Sequence, residues 1–337
     1  MLAKKIKSKA MELGYTACGI IPAISFDEFL NEVDKRSALF PKTKKFYDNF
    51  RGMGIPPEDA KSIIVCTQRL NKYRIPKELE SLYGKMYLFD ARVSYTEENR
   101  TNDLFETYLK MLGLDIIECS VPDRWAGAKA GVGKFGRNNF LFDEKHGSYI
   151  VIQTWIVDKE LDYDAAPDDV VLSTCNDGCH KCIEACPTKA LSGELLMDAG
   201  KCICRVQFDD EDALDEELRE QMGVWIYGCD ACQDVCPANK GKFNESEEFP
   251  LLKEFEELMK PENILIMSES TYKNVIHPRF WYAEIDQLWI WKCNALRAMI
   301  NSGDEKYNTL IKQSVVNKDK RVSDIAKWGC DKLSISY

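Results

Sequence analysis

The sequence contains no long apolar run and no recognisable export signal. No apolar stretch approaches the roughly 18 residues that a membrane-spanning helix requires. The N-terminal segment MLAKKIKSKAMELGY sets lysines among apolar residues at helical spacing. It has neither the apolar core of a signal peptide nor a twin-arginine pair. We therefore expect a cytoplasmic protein without a membrane partner, in a compartment where thiols stay reduced.

Positive charge is scarce relative to negative charge. The 337 residues include 45 lysines and arginines against 55 aspartates and glutamates, which gives a formal net charge of −10. An acidic surface repels a phosphate backbone unless its basic residues are concentrated in one patch. Composition therefore makes a nucleic-acid partner doubtful.

Cysteine, by contrast, is abundant and clustered. Nine of the fourteen cysteines lie between Cys175 and Pro237. Two segments there repeat one spacing, Cys179-x2-Cys182-x3-Cys186-Pro187 and Cys229-x2-Cys232-x3-Cys236-Pro237. This spacing is typical of proteins that hold 4Fe-4S clusters, because a C-x2-C turn directs two thiolates to adjacent irons. The sequence therefore predicts two cubane clusters.

The ferredoxin rule divides the cysteines between the two clusters. In two-cluster ferredoxins the cysteine before proline ligates the other cluster. The rule assigns Cys175, Cys179, Cys182 and Cys236 to cluster one, and Cys186, Cys202, Cys229 and Cys232 to cluster two. Cys204 is left over. The first gap is one residue longer than in bacterial ferredoxins, and Gly178 can absorb the extra residue with a positive φ. Structural zinc and disulfides are the alternatives, and the doubled motif favours neither.

The remaining pattern predicts an α+β fold in three units. These are an α/β-type layer domain over 1–165, a ferredoxin-like two-cluster domain over 166–245, and a helical HEAT-like tail over 246–337. We expect strands over 16–21, 62–66, 115–121 and 149–157, and helices over 1–13 and 104–112. The stretch 26–50 is predicted to be a peripheral helical cover, 158–169 an acidic linker and 209–219 an acidic helical connection.

A glycine-rich loop lies upstream of the cysteines. Gly127, Gly131, Gly133 and Gly136 would allow the close backbone approach that a flat cofactor or an anion requires. The loop matches neither the dinucleotide-binding fingerprint nor the P-loop. A tight turn between helix and strand is the alternative interpretation.

Taken together, these segments resemble the epoxyqueuosine reductase family. The resemblance rests on GVGKFGRNN, HGSYI, the cysteine motifs, YGCDACQDVCPANK and WKCNALRAMINSGD, and it runs from about residue 121 to the C-terminus. The chain is more distantly similar to reductive dehalogenases. The resemblance implies a cobalamin beside one cluster, with electrons passing through both clusters to cobalt. The sequence lacks an Asp-x-His-x-x-Gly motif, so the corrinoid should be base-off, and His146, His180 and His277 should be structural or surface groups.

The resemblance also suggests the residues of the active site. The acidic proton donor of the family falls here near Cys119, which Glu118 and Asp123 flank, and Asp123 is our predicted catalytic acid. The predicted corrinoid wall is the loop that contains Gly131, Gly133, Gly136, Arg137, Asn138 and Asn139.

Three functions are compatible with the sequence. The first is a corrinoid-dependent reductase that receives electrons from a flavodoxin or ferredoxin and acts on an unidentified small molecule or modified base. The second is a non-catalytic electron carrier or corrinoid-activating protein. The third is reduction of epoxyqueuosine in transfer RNA, which the family suggests and the net charge opposes.

Overall fold

The computed structural model describes residues 1–165, 174–209, 214–243 and 246–337. In 1–165 the helices are α1 Leu2–Glu12, α2 Asp27–Leu39, α3 Lys44–Asp48, α4 Lys85–Leu88, α5 Glu97–Met111 and α6 Asp123–Lys129. The strands there are β1 Ala17–Pro22, β2 Ser62–Arg69, β3 Tyr73–Arg74, β4 Lys134–Phe135, β5 Leu141–Phe142 and β6 Ile150–Val157.

The rest of the chain is mainly helical. The cysteine-rich segment contains α7 Lys181–Ala185, β7 Leu191–Gly193, β8 Leu196–Met197, α8 Ile203–Val206, α9 Glu216–Gln221 and α10 Ala231–Asp234. The tail contains β9 Glu247–Glu248, α11 Leu252–Phe255, α12 Pro261–Ile266, α13 Glu269–Thr271, α14 Leu288–Ser302, α15 Asn308–Ser314 and α16 Lys320–Leu333. Every helix among the described residues is too short or too polar to cross a membrane.

A three-stranded antiparallel sheet in the order β1-β2-β6 forms the centre of the N-terminal part. Its middle strand, β2, is buried along almost its whole length. Successive side chains of a strand point to opposite faces. Ile63 and Val65 accordingly pack with α6 and the β4–β5 hairpin, whereas Ile64 packs with α1 and α5. Helix α6 and the glycine-rich loop thus pack on one face of the sheet.

The predicted elements agree with this sheet except at one edge. The strands expected over 16–21, 62–66 and 149–157 are confirmed as β1, β2 and β6, and all their pairings are antiparallel. The fold is therefore a mixed α and β structure whose central sheet is antiparallel, whereas β3 and β9 form a short parallel pair. The strand expected over 115–121 is wrong. After one bridge from Ile116 to Val157, the amide of Cys119 turns back to the Ile117 carbonyl, which takes it out of the ladder.

The stretch 26–50 does more than cover the periphery, so that prediction is wrong. Its helices α2 and α3 contact the cysteine-rich segment directly. The Tyr47 hydroxyl donates to the Met197 carbonyl and accepts a hydrogen bond of 2.8 Å from the amide of Ala199. Arg36 donates to the Leu195 carbonyl at 2.5 Å. These bonds attach the β7–β8 hairpin to the N-terminal part.

Helix ends follow the capping residues in the sequence. The hydroxyl of Thr96 accepts from the amide of Asn99 at the start of α5, and Asp215 caps α9 in the same way. Gly303, with a φ of 64°, ends α14. The predicted helical tail is present, and Cys293 and Cys330 are buried within it as expected.

One hydrophobic core joins all three predicted units. Tyr83, Tyr227 and Trp291 come from different units and pack in this core, where the rings of Tyr227 and Trp291 stack with centroids 4.8 Å apart. The borders at 165/166 and 245/246 stay predictions. They adjoin 166–173 and 244–245, which lie outside the described residues. Residues 166–169 of the predicted linker 158–169 and residues 210–213 of the predicted connection 209–219 also lie outside them.

Candidate active site and iron–sulfur centres

The predicted ligands of cluster one lie close together. Burial raises the pKa of Cys182 to about 11, and the neighbouring thiols of Cys175 and Cys236 add to this rise. Burial also raises the pKa of Cys236, with further contributions from Cys175 and Cys179. Cys236 is thus a neighbour of the other three thiols, although it lies more than fifty residues after them in the sequence.

The predicted ligands of cluster two form a second group. Burial raises the pKa of Cys229 to about 12, and Cys202 and Cys186 are among its electrostatic neighbours. The pKa of Cys232 is raised by burial and then by Cys229 and Cys202. Cys182 of the first group also contributes to that rise, so the two groups adjoin.

Local backbone structure orients these thiols. One cysteine of each group lies in a short helix, Cys182 in α7 and Cys232 in α10. The amide of Ala190 donates to the sulfur of Cys186 at 3.2 Å. Gly178 has a φ of 70°, the positive value expected for the longer first gap. Backbone donors to sulfur stabilise thiolates and their clusters.

All fourteen cysteines are free thiols, so the disulfide alternative is not found. Among the described residues, no three His, Cys, Asp or Glu side chains gather as ligands of a single metal ion. Cys204 is a fifth thiol beside the second group. Its sulfur lies 3.5 Å from the Cys229 carbonyl oxygen, and a hydrogen bond from Cys204 lowers the pKa of Cys202.

A cavity of about 750 Å³ lies against the second group of cysteines. Cys186, Cys202, Cys204, Cys229 and Cys232 contribute to its wall. The four cysteines of the first group are not among the described residues that line the cavity. The opposite wall comes from the N-terminal part, including the start of α6 and the loop after it. The cavity size is within the range of small-molecule and cofactor sites.

Asp123 lies in the wall of this cavity, at the first position of α6. The Thr154 hydroxyl, from β6, donates to its carboxylate at 2.9 Å. The side chain is accessible from the cavity, while protein surrounds it on its other sides. Burial raises the pKa of Asp123, and the bond from Thr154 partly opposes this. A carboxyl group with a raised pKa can donate a proton near neutral pH.

Arg124 is a cavity residue that sequence reasoning missed. Its guanidinium donates to the Asn139 carbonyl at 2.9 Å and lies 4.6 Å from the centroid of the Phe140 ring. Burial lowers the pKa of Arg124, and Cys232 and Cys204 are among the groups that raise it. A positive charge therefore faces the cavity beside the second group of cysteines. Only its position next to Asp123 could have indicated this role.

Neither of the other acid-site candidates reaches the cavity. Glu118 is exposed on the outer surface, and Cys119 packs against the core that includes α6. Burial raises the pKa of Cys119, and Asp59 adds to the rise. Of the three neighbouring candidates in the sequence, the structure places only Asp123 at the cavity.

The glycines of the loop do not line the cavity, contrary to the predicted corrinoid wall. A Cβ on Gly133 would lie 2.7 Å from Leu141, and one on Gly136 would lie 2.6 Å from Phe142. These glycines are therefore required by close packing within the β4–β5 hairpin. Gly131 has a φ of 69° and ends the turn after α6. The tight-turn alternative describes this part of the loop better.

Arg137 contacts the first group of cysteines and is not among the described residues that line the cavity. Its guanidinium donates to the carbonyls of Asn176 and Cys179 at 3.3 and 2.9 Å and pairs with Glu194. The amide side chain of Asn138, which does reach the cavity, donates to the Cys232 carbonyl at 3.2 Å. Both residues thus support cysteine-bearing turns.

Asn139, a residue of the cavity wall, has a side-chain amide that is only partly hydrogen-bonded. Its side-chain oxygen accepts from Arg36 at 2.6 Å, which fixes the orientation of the amide. The amide nitrogen is buried and has no hydrogen-bond partner within the described protein. A buried donor of this kind requires an acceptor. An amide oxygen of a corrin side chain would supply one.

Histidines are absent from the described residues that line the cavity. His146 lies beside Asp143, with its Nδ1 atom 2.8 Å from the carboxylate, and His180 is exposed. His277 contacts the ring of Tyr272. The three histidines thus occupy the structural and surface positions expected of them.

The fold and the paired cysteine groups define an iron–sulfur protein of the two-cluster class. The profile of the 4Fe-4S double cluster binding domain matches residues 174–239. An epoxyqueuosine reductase of Staphylococcus aureus is 33% identical over 305 residues, which cover 80% of this chain and 74% of the relative. One from Cellulophaga algicola is 29% identical over 269 residues, or 75% and 84% of the two chains.

The chain belongs to the epoxyqueuosine reductase family. A solved epoxyqueuosine reductase with an epoxyqueuosine-modified tRNA-Tyr stem loop has the same fold, with a TM-score of 0.77 at 21% identity. The alignment covers 98% of this chain and 90% of that one. The family uses two 4Fe-4S clusters and cobalamin. The two thiol groups fit the clusters, and the cavity with the free amide of Asn139 fits the corrinoid.

Proposed function

We propose that this protein reduces epoxyqueuosine in transfer RNA, using electrons that pass through two 4Fe-4S clusters to a corrinoid in the cavity. One observation supports this most strongly. The Asp123 carboxyl group and the second group of cysteines line the same cavity. A proton donor and the ligands of an electron-donating cluster would therefore line the same cofactor-sized cavity.

The order of the clusters follows from their positions. Cys175, Cys179, Cys182 and Cys236 would hold the outer cluster, which receives electrons from a flavodoxin or ferredoxin. Cys186, Cys202, Cys229 and Cys232 would hold the inner one. Because Cys182 and Cys232 are electrostatic neighbours, the two clusters would be close enough to exchange electrons. The inner cluster would then supply the cavity.

Removal of an epoxide oxygen has a fixed stoichiometry. Two carbon–oxygen bonds break, a carbon–carbon double bond forms, and the oxygen leaves as water. The change consumes two electrons and two protons. The two groups of cysteines would hold the clusters that supply the electrons. Asp123 would donate one proton to the departing oxygen, and the second proton would come from solvent. The raised pKa of Asp123 keeps it protonated at a higher pH than an ordinary aspartate.

The corrinoid would lie between the inner cluster and the loop after α6. When bound, it supplies a metal centre that transfers electrons to the substrate carbon. Asn139 would donate its free amide hydrogen to a corrin side-chain carbonyl. Arg124 would place a positive charge near the same edge. Protein around the cavity would keep bulk water from the reduced centre.

Transfer RNA as substrate is supported by the family and by the related structure that holds a tRNA stem loop. The net charge of −10 opposes non-specific binding to a phosphate backbone. The affinity of this chain for RNA should therefore come from contacts around the cavity mouth. The electron-carrier alternative leaves both the cavity and the raised pKa of Asp123 without a role.

The function can be tested by product analysis. Reconstituted protein with added cobalamin and a chemical reductant would be incubated anaerobically with an epoxyqueuosine-containing anticodon stem loop. Nucleoside mass spectrometry should show loss of one oxygen atom from the modified nucleoside. Cobalamin omission is the control. If the oxygen stays in place while both clusters and the corrinoid are reduced, the proposed substrate is wrong.

A further inference from the structure

At the rim of the cavity Arg92 and Tyr282 form a cluster with the neighbouring Trp281. Arg92 and Tyr282 line the cavity and are also open to solvent, with 51% of the Arg92 side chain and 45% of Tyr282 exposed. They therefore lie at the mouth and not at the floor. The three residues are here named the rim platform.

The guanidinium of Arg92 is held in place by three hydrogen bonds. Its Nε and one terminal nitrogen donate to the two oxygens of Asp90 at 2.9 and 2.6 Å. The same terminal nitrogen donates to the Tyr282 hydroxyl at 2.6 Å. Asp90 is itself buried. A two-pronged bond of this kind fixes the plane of the guanidinium as well as its position.

The guanidinium of Arg92 lies over two aromatic rings. The centre of the guanidinium is 5.1 Å from the centroid of Trp281 and 5.4 Å from that of Tyr282. The two ring planes are within 16° of each other, and Tyr282 also stacks on Phe208 at 26°. The platform is thus pre-organised, so a ligand would lose little free energy in ordering it.

A substrate nucleoside in the cavity creates a need for such a surface. An enzyme that acts on a base in a nucleic acid removes that base from its stack. The adjoining base then loses a stacking partner on one face. Proteins that bind single-stranded RNA commonly stack such bases on aromatic rings or on arginine planes. Because Arg92 and Tyr282 lie at the cavity mouth, a nucleotide that leaves the cavity on that side would meet the rim platform.

We propose that the rim platform stacks against the base next to the modified nucleoside and so sets the affinity for the RNA substrate. This inference rests on the proposed function. The contact is largely insensitive to charge, which suits a protein of net charge −10. Stacking also differs from a phosphate contact in a measurable way, because only the phosphate contact releases counterions.

The test is binding and turnover of an epoxyqueuosine-containing stem loop with the reconstituted full chain. Arg92→Gln should weaken binding about tenfold, within the range for one base stack, and raise KM while kcat changes little. The slope of log Kd against log salt should stay unchanged. Arg92→Lys should be as weak as Arg92→Gln, because a lysine keeps the charge and loses the plane. Rescue by lysine, or a shallower salt slope, would instead indicate a phosphate contact and overturn the stacking role.

Two further variants separate binding from folding. Trp281→Leu removes the ring beside Arg92 and leaves the bonds to Asp90 in place, so it should weaken RNA binding without loss of either cluster signal. Lys5→Gln, which removes an exposed charge from α1, is the control and should bind as the wild type does. If wild-type protein reduces the stem loop and both platform variants match it, the platform is wrong and the function stands. If wild-type protein neither binds nor reduces the stem loop, both fail.

Discussion

The backbone amide of Arg137 donates to the sulfur of Cys175 at 3.4 Å. This bond joins the loop after α6 to the first group of cysteines. The guanidinium of the same residue holds the carbonyl of Cys179. A residue predicted to contact the corrinoid thus supports the first turn of the cluster motif. The longer gap after Cys175 therefore leaves its sulfur within the group.

Cys175→Ala tests the corner of cluster one that departs from the ferredoxin spacing. Wild-type protein should reconstitute to about eight irons per chain, which is two cubanes. The variant should lose the signal of one cluster and keep that of the other, as EPR of the reduced protein would show. Cys18→Ala, outside the motifs, is the control. An unchanged iron content and spectrum in Cys175→Ala would exclude Cys175 as a ligand.

Cys204→Ala tests whether the fifth thiol beside cluster two is a ligand. Because its side chain bonds to Cys202 and to a carbonyl, we expect the variant to keep about eight irons per chain. The midpoint potential of the inner cluster should fall, since a hydrogen bond to a cluster sulfur favours the reduced form. Cys204→Ser should give a midpoint potential between those of the wild type and Cys204→Ala. A loss of four irons would mean that Cys204 replaces one of the assigned ligands.

Asp123→Asn tests the proton donor. General acid catalysis contributes about 100-fold or more to a rate, so kcat should fall by at least that factor while corrinoid binding is retained. In wild-type protein the rate should fall as pH rises through the raised pKa of Asp123, because the carboxyl group then loses its proton. A variant with the wild-type rate and pH profile would exclude Asp123.

Thr154→Val is the matched probe of the same carboxyl group. The Thr154 hydroxyl bond lowers the pKa of Asp123, so its removal should raise that pKa further. The descending limb of the pH–rate profile should move to higher pH. A shift to lower pH, or none, would show that the limb belongs to another group.

Asn139→Gly tests the corrinoid contact. Asn139 has a φ of 67°, which glycine adopts without strain, so the change removes the amide and spares the backbone. Loss of one neutral hydrogen bond should weaken corrinoid binding about fivefold, as measured by absorbance titration. Lys129→Gln, at the other end of α6, should bind as the wild type does. Equal affinity in both variants would rule out the contact.

Lys85→Met tests the charge balance beside the inner cluster. Asp230, between Cys229 and Cys232, is 2% exposed and accepts from the amide and the ammonium of Lys85 at 2.7 and 3.3 Å. Loss of the lysine leaves a buried carboxylate unpaired, which should destabilise the fold by about 3 kcal/mol. The potential of the inner cluster should also fall, because a negative charge opposes reduction. Chemical denaturation and redox titration measure the two effects, and an unchanged potential would contradict the second.

The sequence was informative where function requires a fixed local pattern. The repeated C-x2-C-x3-C-P motif predicted the two groups of thiols, and the apolar runs predicted β1, β2 and β6. It could not show that Gly133 and Gly136 face their own hairpin, because a close approach to a ligand and one to a neighbouring strand require the same residue. Arg92 and Tyr282 were missed because 190 residues separate them, and only the folded chain brings them together.

A base-off corrinoid in the cavity beside cluster two can be detected by EPR of cob(II)alamin added to the reconstituted protein. Since no histidine is among the described residues of the cavity wall, the bound cobalt should give the spectrum of a base-off species. Asn139→Gly should require more protein to reach the same spectrum. If the spectrum at saturating protein is still that of free, base-on cobalamin, the cavity does not bind a corrinoid.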